Sequence, residues 1–164
     1  MMKQAFVALG SNLENPKAQV EQALIALRHL PETRLIKQSS LYQTAPVDCV
    51  VTAPDFINAV AEIETSLAPE ALLDAILDIE NQAGRERPYV NAPRVLDCDL
   101  LLYEDVTQET TKLTLPHPRM HTRGFVLLPL FEIAPDIFIP NHGKIAAFMT
   151  PDLLLGIKKL PSSS

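Results

Sequence analysis

The chain has 164 residues, 47% of them hydrophobic and 21% charged, with a formal net charge of −6. That balance excludes a disordered chain, and the acidic sign argues against a general nucleic-acid coat. No apolar run reaches the roughly 18 residues of a membrane helix, the N-terminus MMKQAFVALGSN has no signal-peptide pattern, and Cys49 and Cys98 match no metal or disulfide framework. The expectation is one cytoplasmic domain over residues 1–160, with a frayed tail at 161–164 and no membrane partner.

In chain order, residues 3–9 (KQAFVAL) read as a first strand that ends in a turn at Gly10-Ser11-Asn12. Asn15 and Pro16 form an N-cap and N1 pair, followed by Val20, Ala23, Leu24 and Leu27 at helical spacing to about Leu30. Residues 33–43 read as a second strand, and Pro46 and Pro54 lie in a long loop after it. In residues 56–65 the alternation puts Phe56, Asn58, Val60 and Glu62 on one face of a third strand, and Ile57, Ala59, Ala61 and Ile63 on the other. Pro69 opens a second helix with Leu72, Leu73, Ile76, Leu77 and Ile79 inward and Gly84 at its C′ position. An Arg-rich loop at 85–94 leads into a fourth strand at 95–103, then a turn at Glu104-Asp105 and a short strand near Lys112–Leu115. A helix is expected over 119–134, with Pro129 in its first turn or at a kink, and another near 151–157. The order β-α-β-β-α-β predicts an α+β, ferredoxin-like sheet with two helices on one face. C-terminal additions after residue 104 would cover the other face and give three layers, α/β/α.

Charge is unevenly distributed. No Lys or Arg lies between Lys37 and Arg85, while Arg85, Arg87, Arg94, Lys112, Arg119 and Arg123 crowd the next stretch with His117 and His121. An acidic chain with a local cationic zone suits a small anion. Beside that zone, Asp97 and Asp99 interrupt an apolar run, VLDCDLLL. On a strand they share a face with Cα atoms about 6.5–7 Å apart, while Leu96, Cys98 and Leu100 point to the core. The strand is expected at a central position, which disfavours solvent exposure on both faces. The pair reads either as two ordinary acids at a solvent-facing edge or as hard oxygen ligands for Mg²⁺. Acids that hold a metal, beside arginines that hold phosphate, are the parts of phosphoryl transfer. No phosphate-binding G-x-x-x-x-G-K-[ST] and no G-x-G-x-x-G occurs.

Three segments in order, LGSNLENP, RVLDCDLLLY and LPHPRMHTRGFVLLPLFEIAPD, resemble the 6-hydroxymethyl-7,8-dihydropterin pyrophosphokinase family of folate biosynthesis, from about residue 4 to 140. The resemblance implies transfer of the β,γ-pyrophosphoryl group of ATP to the pterin hydroxymethyl oxygen, with AMP released and two Mg²⁺ ions used. It implies that Asp97 and Asp99 bind the metal, and that Arg85 and Arg94 stabilise transition-state charge. It places the pterin between Phe56 and Phe125, with Asn58 on its amide edge and Thr44, Ala45 and Val47 nearby. Glu80, Arg87, Lys112, Thr114, His117 and Arg123 align with the ATP side. The family's loop Trp is missing from PYVNAPR, Phe56 stands where Tyr is frequent, and Lys112 where Arg is also found. The implied partners are small molecules, ATP and the dihydropterin, acted on by a monomer. A ligand sensor without turnover and an RNA-recognition module share the element order. The acid pair with its arginines disfavours the first, and the net charge with the missing RNA-stacking aromatics disfavours the second.

Overall fold

The computed structural model describes residues 2–12, 15–44, 56–83 and 96–160. Strand β1 (Lys3–Ser11) is the axis of the sheet, with β4 (Phe56–Thr65) antiparallel on one side and β5 (Asp97–Tyr103) antiparallel on the other. Its run AFVALGS is buried throughout, because both faces are covered. Ala5, Val7 and Leu9 join a core with α1 (Pro16–Arg28) and α2 (Pro69–Ala83), whereas Phe6 and Ala8 face a second core built on α3 (Gly124–Ile133). The alternation expected in β4 holds, since Ile57, Ala59, Ala61 and Ile63 lie in the first core and Val60 in the second.

The single strand expected at 33–43 is two, β2 (Thr33–Gln38) and β3 (Tyr42–Thr44), both paired with β4. Ser39 makes the break: its N–H donates to the Val60 carbonyl at 2.9 Å and its hydroxyl accepts the Val60 N–H at 2.9 Å. A side chain thus substitutes for ladder backbone. The six-stranded sheet is closed on the β3 side by β10 (Ile157–Lys159). A helix was expected to run to 157; instead α4 (Pro151–Leu154) stops early and Gly156, at φ +81°, turns the chain into β10. The remaining strands form two small hairpins, β6 (Gln108–Glu109) with β7 (Thr114–Leu115), and β8 (Phe138–Ile139) with β9 (Gly143–Lys144).

Three other expectations change. Asn15 begins α1 in the left-handed region at φ 60° and makes no side-chain cap. Leu77 is 37% exposed, so the buried stripe of α2 is Leu72, Ile76 and Ile79. The helix expected over 119–134 is a 3-10 turn at Met120–Thr122 followed by α3, with Pro129 beyond its first turn. Gly84 and the tail at 161–164 lie outside the described residues. Among the described residues no helix is long and apolar enough to cross a membrane.

Candidate active site

A cavity of about 580 Å³ opens on the sheet face shared with α3. Its floor follows from register. Gly10 pairs with Asn58 on one side and Asp97 on the other, and Ala8 pairs with Val60 and Asp99. Residues in one row of a sheet project to the same face, so Asn58 and Asp97 flank Gly10, about 9–10 Å apart across two strand spacings. Small residues on β1 keep this floor low. A Cβ at Gly10 would stand 2.7 Å from Asn58 Oδ1, so glycine is what lets that amide lie over β1. Gly10 is therefore a strand residue and not the turn that its neighbours Ser11 and Asn12 suggest.

The amide end of the cavity is rigidly tied. Asn58 is buried and donates from Nδ2 to Thr44 Oγ1 at 3.1 Å. Phe56 lies opposite Thr44, and Phe125, in the first turn of α3, lines the cavity with it. The Arg123 guanidinium carbon sits 5.7 Å from the centre of the Phe125 ring, within range of a cation–π contact.

The acid end is built differently. Among the described residues β5 is the edge of the sheet and not a central strand, so Asp97 is exposed and the Asp99 side chain 45% exposed. The acids share a face, as alternation requires, and Cys98 between them is buried. The Cys98 N–H, on the outer side of β5, donates to Glu80 Oε2 of α2 at 2.6 Å. Glu80 supplies the acceptor that a further strand would otherwise provide. Burial, then the Glu80, Asp99 and Asp97 carboxylates, push the Cys98 thiol far above its ordinary range, so it is a small inert apolar side chain.

His117 reaches the site through a β-bulge. Phe6 pairs with Leu102 and Val7 with Leu100, which leaves Leu101 without a partner on β1. The Leu101 carbonyl accepts the His117 N–H at 2.9 Å and sets the loop beside Asp99. His117 Nδ1 accepts the Arg119 N–H at 3.2 Å, so in the neutral ring the proton sits on Nε2, 3.9 Å from Asp99 Oδ1. Burial lowers the His117 pKa; Asp99 opposes that, and Arg123 and Arg119 reinforce it. The imidazole is thus a neutral donor aimed into the cavity.

Of the residues singled out from sequence, Thr44, Phe56, Asn58, Glu80, Asp97, Asp99, His117, Arg123 and Phe125 all line this one cavity. Lys112 does not: it pairs with Asp74 at 3.0 Å on the surface. Thr114 borders a separate cavity beside the β6–β7 hairpin. Ala45, Val47, Arg85, Arg87 and Arg94 lie outside the described residues. Sequence reasoning missed the floor, Ala8 and Gly10, whose signal is two small residues at strand spacing between large ones. Among the described residues no three His, Cys, Asp or Glu side chains gather as a complete metal set. The donors present are two carboxylates open to the cavity, which suits Mg²⁺, an ion that takes its remaining ligands from phosphate oxygens and water.

The family model described as 7,8-dihydro-6-hydroxymethylpterin-pyrophosphokinase matches residues 6–135. A Pseudomonas aeruginosa protein named 2-amino-4-hydroxy-6-hydroxymethyldihydropteridine pyrophosphokinase is 40% identical over 99% of this chain and 100% of its own length. A Haemophilus influenzae protein of the same name is 47% identical over 84% of this chain and 85% of its own. Among solved structures, wild-type Plasmodium falciparum HPPK-DHPS with pterin and p-hydroxybenzoate superposes with a TM-score of 0.72 at 14% identity. That match covers 97% of this chain and 46% of the Plasmodium chain, so this chain spans less than half of the fused protein, and the likeness is one of fold.

Proposed function

The chain belongs to the 7,8-dihydro-6-hydroxymethylpterin-pyrophosphokinase family, and from that premise we propose that the cavity over Gly10 is where its reaction takes place. The activity is transfer of the pyrophosphoryl group of ATP to 6-hydroxymethyl-7,8-dihydropterin, which yields the pterin diphosphate and AMP and is a step of folate biosynthesis. The observation that carries the site is the row Asn58-Gly10-Asp97, an amide and a carboxylate facing the same cavity across one small residue.

In this reading Phe56 and Phe125 hold the flat pterin, and Asn58, oriented by Thr44, bonds its amide edge, with Ala45 and Val47 adjoining. Asp97 and Asp99 would hold two Mg²⁺ ions, which when bound would offset triphosphate charge and make the pterin hydroxyl more acidic. His117 donates a hydrogen bond from Nε2–H to a phosphate oxygen, and Arg123 adds charge beside it. Glu80 holds β5, and with it the acid pair, at the cavity wall. Arg85 and Arg94 stabilise the charge that develops on the transferred group, and Arg87, Lys112 and Thr114 serve the nucleotide. The finer description of the fold is a ferredoxin-like sheet in three layers, supported by strand neighbours β5, β1, β4 and β2/β3 with separate cores on the two faces. The protein acts as a single-domain cytoplasmic monomer over residues 1–160, because the proposed site needs no second chain.

The test is AMP release with the dihydropterin, ATP and Mg²⁺, with and without EDTA. AMP that appears only with both pterin and metal supports the assignment. AMP formed equally well in EDTA removes the metal role of the two aspartates.

A further inference from the structure

Beyond α3 the chain returns twice to the amide end of the cavity. Thr150 caps α4, its Oγ1 accepting the Leu153 N–H at 3.5 Å and its carbonyl the Leu154 N–H at 3.2 Å. This sets Leu153 against α3: a Cβ at Gly124 would overlap the Leu153 carbonyl oxygen and lie 3.0 Å from Ile157 Cδ1. Gly124 stands between Arg123 and Phe125, both of which line the cavity. The chain then pairs β10 with β3, Ile157 opposite Thr44, and the Leu160 N–H donates to the Leu41 carbonyl at 2.8 Å. Thr44 is the hydroxyl that receives the Asn58 amide. Glu132 of α3 locks the layers together. Its carboxylate accepts the Ser40 N–H at 2.9 Å, the Ser40 hydroxyl at 2.9 Å and the Tyr42 hydroxyl at 2.8 Å, and Lys159 Nζ lies 3.8 Å away.

We infer that Thr150–Leu160 is a positioning strap for the pterin end of the site, an inference that rests on the pterin reading above. The strap lines no part of the cavity. It braces the two walls between which the ring would lie, at Gly124 beside Phe125 and at Thr44 beside Asn58. Removing it should loosen pterin binding and leave ATP binding and the transfer step nearly intact.

The test compares Gly124→Ala and Lys158→Pro in the full chain with a chain ending at Met149. Alanine favours a helix over glycine, so Gly124→Ala harms only by displacing Leu153. Ladder alternation from Leu160 turns the Lys158 N–H toward β3, and proline removes it. Each variant should raise the pterin KM about tenfold with kcat and the ATP KM within about twofold. In the shortened chain, Gly124→Ala should add nothing further. An unchanged pterin KM in both full-length variants overturns the strap, whether or not the shortened chain folds. An equal rise in the ATP KM reduces the segment to general support and also overturns it, as does an added effect of Gly124→Ala without the strap. Asn58→Ala measured alongside separates the two readings: a normal pterin KM there removes the pterin assignment itself.

Discussion

The two ends of the cavity are built on opposite principles. At the amide end, Asn58 and Phe56 sit on β4, which has strand partners on both sides, and Glu132 and β10 brace the β3 wall. At the acid end, Asp97 and Asp99 sit on an edge strand with one strand partner among the described residues, held by Glu80 and by the loop at His117. Recognition of a flat heterocycle depends on fixed walls and a fully oriented amide. Phosphate chemistry needs carboxylates that face solvent and have room beside them, which an edge strand provides and an interior strand does not. The ends should therefore respond differently to substitution, one mainly in KM and the other in kcat.

The largest effect belongs to the acids. Asp97→Ala and Asp99→Ala are each expected to lower kcat by about a thousandfold or more while pterin binding, followed by fluorescence, stays close to normal. Near-normal turnover in Asp97→Ala would break the division between the ends. Next comes Gly10→Ala, which should raise the pterin KM about tenfold, because the added Cβ displaces the Asn58 amide. A parallel rise in the ATP KM would show that the floor is shared and the ends are not separable.

Glu80 sharpens the comparison at lower amplitude. Its bond to Cys98 N–H is charge-assisted, and Glu80→Ala leaves that edge donor without its partner, at a cost of about 2 kcal/mol in stability. Turnover should fall severalfold and require more Mg²⁺, with Glu80→Gln recovering most of it. Failure of the glutamine to recover activity would return Glu80 to direct contact with the nucleotide.

How much of this was legible in the sequence follows the same division. The helices α1 and α2 announce themselves through periodicity, because one repeating face of each is buried, and β1 and β4 as short apolar runs, because both of their faces are covered. The acid pair was legible as a same-face pair, but its place on an edge was not, since strand order is a tertiary fact. The break at Ser39 was hidden because a serine hydroxyl replaced a backbone group in the ladder, and β10 because only Leu155 and the positive-φ Gly156 separate it from α4. Leu101 carries no sequence mark of a bulge, yet that bulge sets His117 beside Asp99. The floor at Gly10 read as a turn because glycine followed by serine and asparagine usually is one.

The smallest expected effect concerns His121, in the 3-10 turn before α3 and outside the cavity lining. Its ring stacks on His142 with centroids 4.0 Å apart and meets the edge of Phe148 at 5.6 Å. Its Nδ1 is buried and has no hydrogen-bond partner among the described residues. Burial, then the neighbouring His142, lower the His121 pKa from its ordinary 6.5. The unfolded chain therefore binds this proton more readily than the folded one, and stability rises with pH across the interval between the two values. The contribution is fully present above pH 6.5 and is lost as pH falls through the lower folded value. Melting between pH 7.5 and 5.5 should show a decline on the order of 2 °C that His121→Phe removes, since phenylalanine keeps the stack and cannot take a proton. An undiminished slope in that variant would remove His121 as the source of the acid sensitivity, and Glu132 could not take its place, because its carboxyl titrates below its ordinary 4.5 and so outside this interval. Burial alone would raise the Glu132 pKa, but the bonds from Ser40 and Tyr42 and the nearby Lys159 hold it below its usual range, and its protonation would loosen the amide end.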